Sequence, residues 1–271
     1  MSIGLTSVGL NSLSVFDQSR TQNALSRAFA QISSGYRIAS AVDDAAGLAI
    51  ASGIAASITT ISQASRNVGD TESALTIADG ALGQVSEIST RMQELASMAA
   101  NGTYTDKQRS ALQTEYAALS QEIQRIGATT SFNGKSLLDG SSITASIGSG
   151  GEALTVDGVN LHSLSSGVTS QDISTQAGAQ AAMSSIDQFS QDLTAQRTGT
   201  IGSAMSRLDS IQNNFSSQII SQSSALSRIR DADLPSATAD LTKSRVLRYY
   251  QVVLSKQASD LVTATQLSML G

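Results

Sequence analysis

A long heptad repeat between residues 43 and 100 constrains this chain more than any other feature. Ile54, Ile61, Val68, Leu75 and Leu82 recur every seven residues, and Ser89 and Ala96 continue the series weakly. A second series, Ala64, Thr71, Ala78, Val85, Met92 and Ala99, runs beside it, offset by three or four. Two such series lay one apolar stripe along a helix, as a and d positions do. The spacing predicts a helix from about Asp43 to Ala100, about 85 Å long. A helix of that length is not buried in a small globule and must lie beside partners. Composition agrees. Interior proline breaks helices, and the 271 residues contain one Pro. Hydrophobic residues make up 40% but aromatics only 4%, with no Trp, as in helices packed through Ala, Leu, Ile and Val.

Asn101-Gly102 reads as a left-handed helix terminus. Thr105 precedes Gln108 by three, a capping box that starts a second helix. Leu112, Tyr116, Leu119, Ile123 and Ile126 form its apolar face. Asn133-Gly134 marks a turn after Phe132. From about Asp139 to Thr175 the helical period vanishes. There Leu154-Thr155-Val156, Asp157-Gly158 and Val159-Asn160-Leu161 read as a hairpin about a tight turn. Helical spacing returns near Ala179 with Ile186 and Leu193. After Gly199 and Gly202 it moves by one residue, to Ile201, Leu208, Phe215 and Ile229, with Ile211, Ile219 and Leu226 widening the stripe. This predicts a third long helix to about Arg230. The last segment carries Leu247, Leu254 and Leu261 at sevens, with Tyr250, Gln257 and Ala264 beside them. Asp231 and Asp233 suit the start of that helix, and Pro235 falls in its first turn, where proline is tolerated.

The N-terminal segment has the same character, with Ile3 and Leu10, then Leu25, Phe29 and Ile32. Residues 1–16 and 261–271 carry no charge. Two amphipathic helices cannot bury stripes of this size on each other alone, and unpaired apolar stripes imply partners. The pattern therefore points to self-association through both ends. An ordinary helical bundle with every stripe internal is the blander alternative.

Other classes of function find little support. A net charge of −5 argues against a nucleic-acid partner. With no Cys, disulfide and thiolate chemistry are excluded. His162 is the only His, reads as an exposed loop residue, and leaves a zinc site without ligands. Asp43 and Asp44 are adjacent at a helix start, where the dipole explains them better than paired-acid catalysis. Gly35 is followed by no phosphate-loop Lys. No catalytic, metal or cofactor-binding residue is assigned. Asn101-Gly102-Thr103 and Asn214-Phe215-Ser216 fit a glycosylation pattern that is common by chance. The opening residues lack a basic leader and an unbroken apolar run, and the chain is read as having no apolar stretch of 18 residues, which predicts neither a secretory signal nor membrane insertion.

Residues 31–56, QISSGYRIASAVDDAAGLAIASGIAA, resemble the N-terminal signature of bacterial flagellins. MQELASMAANG at 92–102 and TSFNGKSLL at 130–138 continue the likeness in order, and SRIRDADLPSATADLTKSR at 227–245 matches the C-terminal signature. The resemblance covers about 1–140 and 180–271. Pro235, Arg248-Tyr249-Tyr250 and the ending Ser268-Met269-Leu270-Gly271 depart from the usual pattern.

The resemblance implies a mainly α fold: a long antiparallel helical rod with a small β-hairpin region, and terminal helices that form an inner coiled-coil layer. It implies inner-layer helices at 1–33 and 234–271, a spoke at 34–46, a rod from 43–138 and 179–230, and an outward β-rich region at 139–178. Self-assembly would fall to Ile3, Leu10, Leu25, Phe29, Ile32, Leu247, Tyr250, Leu254, Leu261 and Leu270. The spoke would rest on Ser34, Gly35, Arg37, Asp43 and Asp44. Arg91, Leu95 and Glu115 match a patch that a flagellin-sensing Toll-like receptor recognises. Against that reading, Glu87 is placed to pair with Arg91 on one helix, and Leu95 could pack between subunits. The implied function is a non-enzymatic subunit of the extracellular flagellar filament, exported unfolded by the flagellar type III apparatus. Implied partners are further copies, other flagellins, junction and cap proteins and an export chaperone, with no cofactor. A hook–filament junction protein is the alternative, and a filament-borne enzyme a weaker one.

Overall fold

The computed structural model describes the backbone of residues 2–148 and 152–270; side chains are described for 17–148, 152–260 and 263–264. In chain order the elements are α1 (Ser2–Ser34), α2 (Ala45–Ala100), α3 (Asp106–Thr129), β1 (Ser131–Phe132), β2 (Lys135–Ser136), β3 (Ile143–Ser146), β4 (Ala153–Val156), α4 (Leu161–Thr169), α5 (Gln176–Ala195), a π-helical segment (Gln196–Gly202), α6 (Ser203–Arg230) and α7 (Leu234–Leu270). They form two compact units. One comprises residues 1–57 and 220–271, and the other residues 58–219.

The heptad stripe of α2 is the spine of the second unit. Val68, Leu75, Leu82, Val85, Met92, Ala96 and Ala99 are buried, and they join one core with Tyr116, Ile186, Leu193, Ile201 and Leu208. The polar residues of the stripe itself, Thr71 and Ser89, have partners. The hydroxyls of Ser89 and Ser190 lie 3.0 Å apart, and Thr71 donates to the Asn67 carbonyl. Gln93 donates to Asp187, and Gln212 to Ser65, so α2 is also stitched to α5 and α6. Towards the start of α2, Ile54 and Ile61 are only partly buried.

This end of α2 corrects the reading of the apolar runs. No charged residue lies between Asp44 and Arg66, and α2 is long and apolar enough, by length and composition, to cross a membrane, with mean hydropathy 1.6 in its richest window. The same helix continues past Arg66, Asp70 and Glu72 into the buried stripe. The apolar run is thus one end of a longer helix.

The expected left-handed terminus of α2 is absent. Neither Asn101 nor Gly102 has positive φ. Instead the last carbonyls of α2 are taken by a side chain that the sequence reading passed over. Arg109, buried on α3, donates to the Ala99 and Asn101 carbonyls at 2.8 and 3.0 Å. The capping box that opens α3 forms as expected, with Thr105 N–H donating to Gln108 and Gln108 N–H to Thr105. Asn133-Gly134 turns β1 into β2, with φ of 49° and 78°.

Residues 139–178 differ from expectation. β4 pairs backward with β3, Ile143 facing Val156 and Ser146 facing Ala153, not forward across Asp157-Gly158. Residues 161 onward are helical because Asn160 caps α4, accepting from Ser163 N–H at 2.9 Å. His162 lies in the exposed first turn of α4 rather than in a loop.

The third long helix is interrupted where the sequence spacing moved by one. A π turn carries an extra residue, so Leu193 and Ile201, eight apart, both stay buried. Arg197 holds the segment to α2, its guanidinium donating to both Asp79 oxygens at 2.9 and 3.0 Å. Deleting Gly199 should return the π segment to α-helix and keep Leu208 and Phe215 inward. Deleting Ser206 should turn both residues off the seam and cost several times more stability, about 3 kcal/mol or more for each lost core side chain. Thermal melts followed by circular dichroism compare the two; equal losses would refute the π assignment.

Candidate functional site

The residues read as an assembly surface lie in the first unit, where α1 packs along α7. Among the described side chains, the buried residues that these helices contribute are Thr21 and Ala28 from α1 and Ala237 and Ser244 from α7. Each pair is seven apart, so small residues form the seam and let the backbones approach closely. Gln251, seven beyond Ser244, donates across it to Thr21 at 2.9 Å and towards the Asp17 carbonyl at 3.3 Å.

The large apolar side chains therefore face away. Phe29 and Leu254 are each 61% exposed, Tyr250 is 60% exposed, and Leu247, Val246, Val252 and Tyr249 are exposed as well. Leu25 and Ile32 are partly buried. Ile3, Leu10, Leu261 and Leu270 lie outside the described side chains. Leu247 and Leu254 of α7 thus lie off the α1–α7 seam, on a second, exposed face.

The spoke residues are brought together by main-chain bonds to the segment joining α6 and α7. Gly35, with φ of 73°, ends α1 in a conformation that favours glycine. Its carbonyl accepts from Ala232 N–H at 2.9 Å, and Arg37 N–H donates to the Arg230 carbonyl at 2.7 Å. Ser34 donates its hydroxyl to Ala30 and accepts from Tyr36 N–H. The Arg37 guanidinium donates to the Ile229 carbonyl. The Arg230 guanidinium lies 3.9 Å over the Tyr36 ring, a cation–π contact. Asp44 caps α2, accepting from Gly47 N–H at 2.9 Å. Asp43 instead closes the turn before it, accepting from the N–H groups of Ala39 and Ser40 and the Ser40 hydroxyl.

The Arg91 patch is only partly a surface. Arg91 pairs with Glu115 across to α3 at 2.7 Å and with Glu94 at 2.8 Å, rather than with Glu87. These bonds, led by Glu115, hold the guanidinium above its ordinary pKa. Leu95, expected on the same face, is fully buried in the core of its own subunit. An i,i+4 spacing places the two on neighbouring lines of α2, but here the edge of the core runs between them.

Comparison with known proteins decides the family. Residues 16–143 match the bacterial flagellin N-terminal helical region, and residues 183–263 match the bacterial flagellin C-terminal helical region. A flagellin of Halalkalibacterium halodurans is 34% identical over 238 residues, covering 86% of this chain and 87% of that protein. The chain belongs to the flagellin family. A flagellin of Listeria monocytogenes is 30% identical over 259 residues, 89% of this chain and 90% of its own. Among solved structures, Bacillus cereus flagellin superposes with a TM-score of 0.51 at 33% identity, over 55% of this chain and 88% of that one. A putative flagellar hook-associated protein from Vibrio parahaemolyticus shares the fold with a TM-score of 0.59 at 17% identity, over 70% of this chain and 100% of its own.

Within this flagellin, the sequence reading missed the small-residue seam, Arg109, and the far side of the spoke, Tyr36, Arg230, Asp231 and Ala232. The seam was open to detection as a heptad of small residues parallel to the leucines. The spoke makes a pH-dependent prediction. Ser40, through its hydroxyl first and then its N–H, holds the Asp43 carboxyl below the usual value of 3.8. A lowered folded-state pKa stabilises the turn above the unfolded pKa, and that stability is lost as pH falls through the lowered value. Exchange protection of Ser40 N–H should therefore be full above about pH 4 and decline below it. Asp43→Asn should remove the pH step, and an unchanged profile in that variant would contradict the clamp.

Proposed function

We propose that the chain is a subunit that polymerises into the flagellar filament, driven by burial of the outward apolar faces of α1 and α7. Flagellins are a family of structural filament proteins, and family membership carries the filament assignment. The observation that carries the mechanism is the division of labour on α7. Ala237 and Ser244 bury against the subunit, while Leu247, Tyr250 and Leu254 do not. Fully burying a leucine-sized side chain is worth about 1.5–3 kcal/mol, so several per subunit favour contacts between copies. The junction-protein reading is not favoured, because the likeness to the hook-associated protein extends to the fold alone.

In this proposal Leu25, Phe29, Ile32, Leu247, Tyr250 and Leu254, with Ile3, Leu10, Leu261 and Leu270, pack between copies as the inner layer. Residues 34–46 act as the spoke, residues 43–138 and 179–230 as the rod, and 139–178 as the outward region. The subunit acts without catalysis, is exported by the flagellar type III apparatus and works outside the cell. Its partners are further copies, with other flagellins, junction and cap proteins and an export chaperone along the route. A flagellin-sensing receptor would meet Arg91 and Glu115 in this subunit; Leu95 is withdrawn from it.

Removing residues 241–271 should abolish polymerisation while residues 58–219 keep their helical signal. Electron microscopy and circular dichroism of the truncated chain read both outcomes. Filaments of normal length from the truncated chain would sink the mechanism.

A further inference from the structure

The first unit presents a knob and a socket that do not meet within one subunit. The knob is Val42, 96% exposed at the apex of the turn before α2. Its backbone is fixed beforehand: Ile38 is buried on one side, Asp43 accepts three hydrogen bonds on the other, and Asp43 N–H donates to the Ser40 carbonyl at 3.1 Å. An apolar side chain held rigidly in water costs little further entropy when it docks. Two carboxylates, Asp43 and Asp44, come directly after it in the chain.

The socket lies between α1 and α7. It is a groove of about 680 Å³ lined by Leu25, Phe29 and Leu241 together with Ser33, Arg245 and Arg248. No carboxylate lines it. An apolar lining with two cations fits an apolar knob followed by two carboxylates, which share their surface with Arg27 and Arg37 of the same subunit.

We propose that Val42, with Asp43 and Asp44, docks into the Leu25–Phe29–Leu241 groove of a second copy of this chain, where Arg245 and Arg248 meet the two carboxylates. The inference rests on the filament reading and names one of its contacts. Complementary charge fixes which surfaces meet, and the apolar knob supplies affinity. It also gives Arg248, a departure from the usual flagellin pattern, a place in assembly.

The chain has no cysteine, so the contact can be tested by disulfide formation in the full-length protein. Val42→Cys with Ser33→Cys, polymerised and then oxidised, should give a ladder of covalent dimers, trimers and higher species on a non-reducing gel. Either single variant should stay monomeric on the same gel. Sedimenting polymers of the double variant that run only as monomer would overturn the contact. Polymers whose groove thiol is shielded from a maleimide yet unlinked would assign the groove to another segment and equally overturn it. A second measurement needs no cysteine: Val42→Ser should raise the critical concentration for polymerisation about tenfold. Arg248→Glu should raise it too, and Ala41→Lys added to Arg248→Glu should recover most of the loss. An unchanged critical concentration in Val42→Ser and Arg248→Glu would refute the docking. Wild-type chain that yields no sedimentable polymer would instead take down the filament reading and this contact with it.

Discussion

The structure depends on how α1 and α7 share their surfaces. A pair of helices in water is stable only when each finds apolar area to bury. Here the pair closes through Thr21, Ala28, Ala237 and Ser244, with Gln251 bridging to Thr21. Small residues allow close approach but remove little apolar area from water. The larger area, on Phe29, Leu247, Tyr250 and Leu254, stays exposed. A subunit built this way trades stability alone for stability in an assembly, which suits a protein whose family forms filaments.

The second unit has the opposite character. Its α2 stripe is buried along most of its length against α3, α5 and α6. The polar residues within it have partners, and the terminal carbonyls of α2 are held by the buried Arg109. Tyr116 donates its hydroxyl to the Val168 carbonyl, and burial raises its pKa above the ordinary value. Residues 34–46 combine main-chain hydrogen bonds to Arg230 and Ala232 with side-chain bonds made by Ser34, Arg37, Asp43 and Asp44. The main-chain bonds among these depend little on side-chain identity except where backbone geometry demands it, as at Gly35.

Much of the α architecture was legible. A heptad states which face is buried without stating by what, so α2, α3 and the apolar line of α6 could be placed from spacing. The one-residue shift near Gly199 and Gly202 was legible as a shift, and the π turn is its structural form. The pairing of β3 with β4 was less accessible, because short apolar strands carry no mark of which neighbour they choose. Asp157-Gly158 has turn chemistry, but the cap at Asn160 commits residues 161–169 to a helix. For the site, the spacing marked Leu247, Tyr250 and Leu254 as lines of α7, and all three are exposed. Their orientation away from α1 was not legible, since a run containing two heptads does not say which one packs inward.

The sequence by itself determined that the chain is mainly helical and that its long helix carries a continuous apolar stripe that has to be covered. These properties arise from periodicity and composition, which act locally along each helix. Only the tertiary structure decided which line of α7 meets α1, that Arg91 pairs with Glu94 and Glu115, that Leu95 is withdrawn into the core, and that Val42 stands free at the spoke. Each depends on the rotation of one element against another. That rotation is set by the sum of packing across many residues distant in sequence, and no local pattern records it.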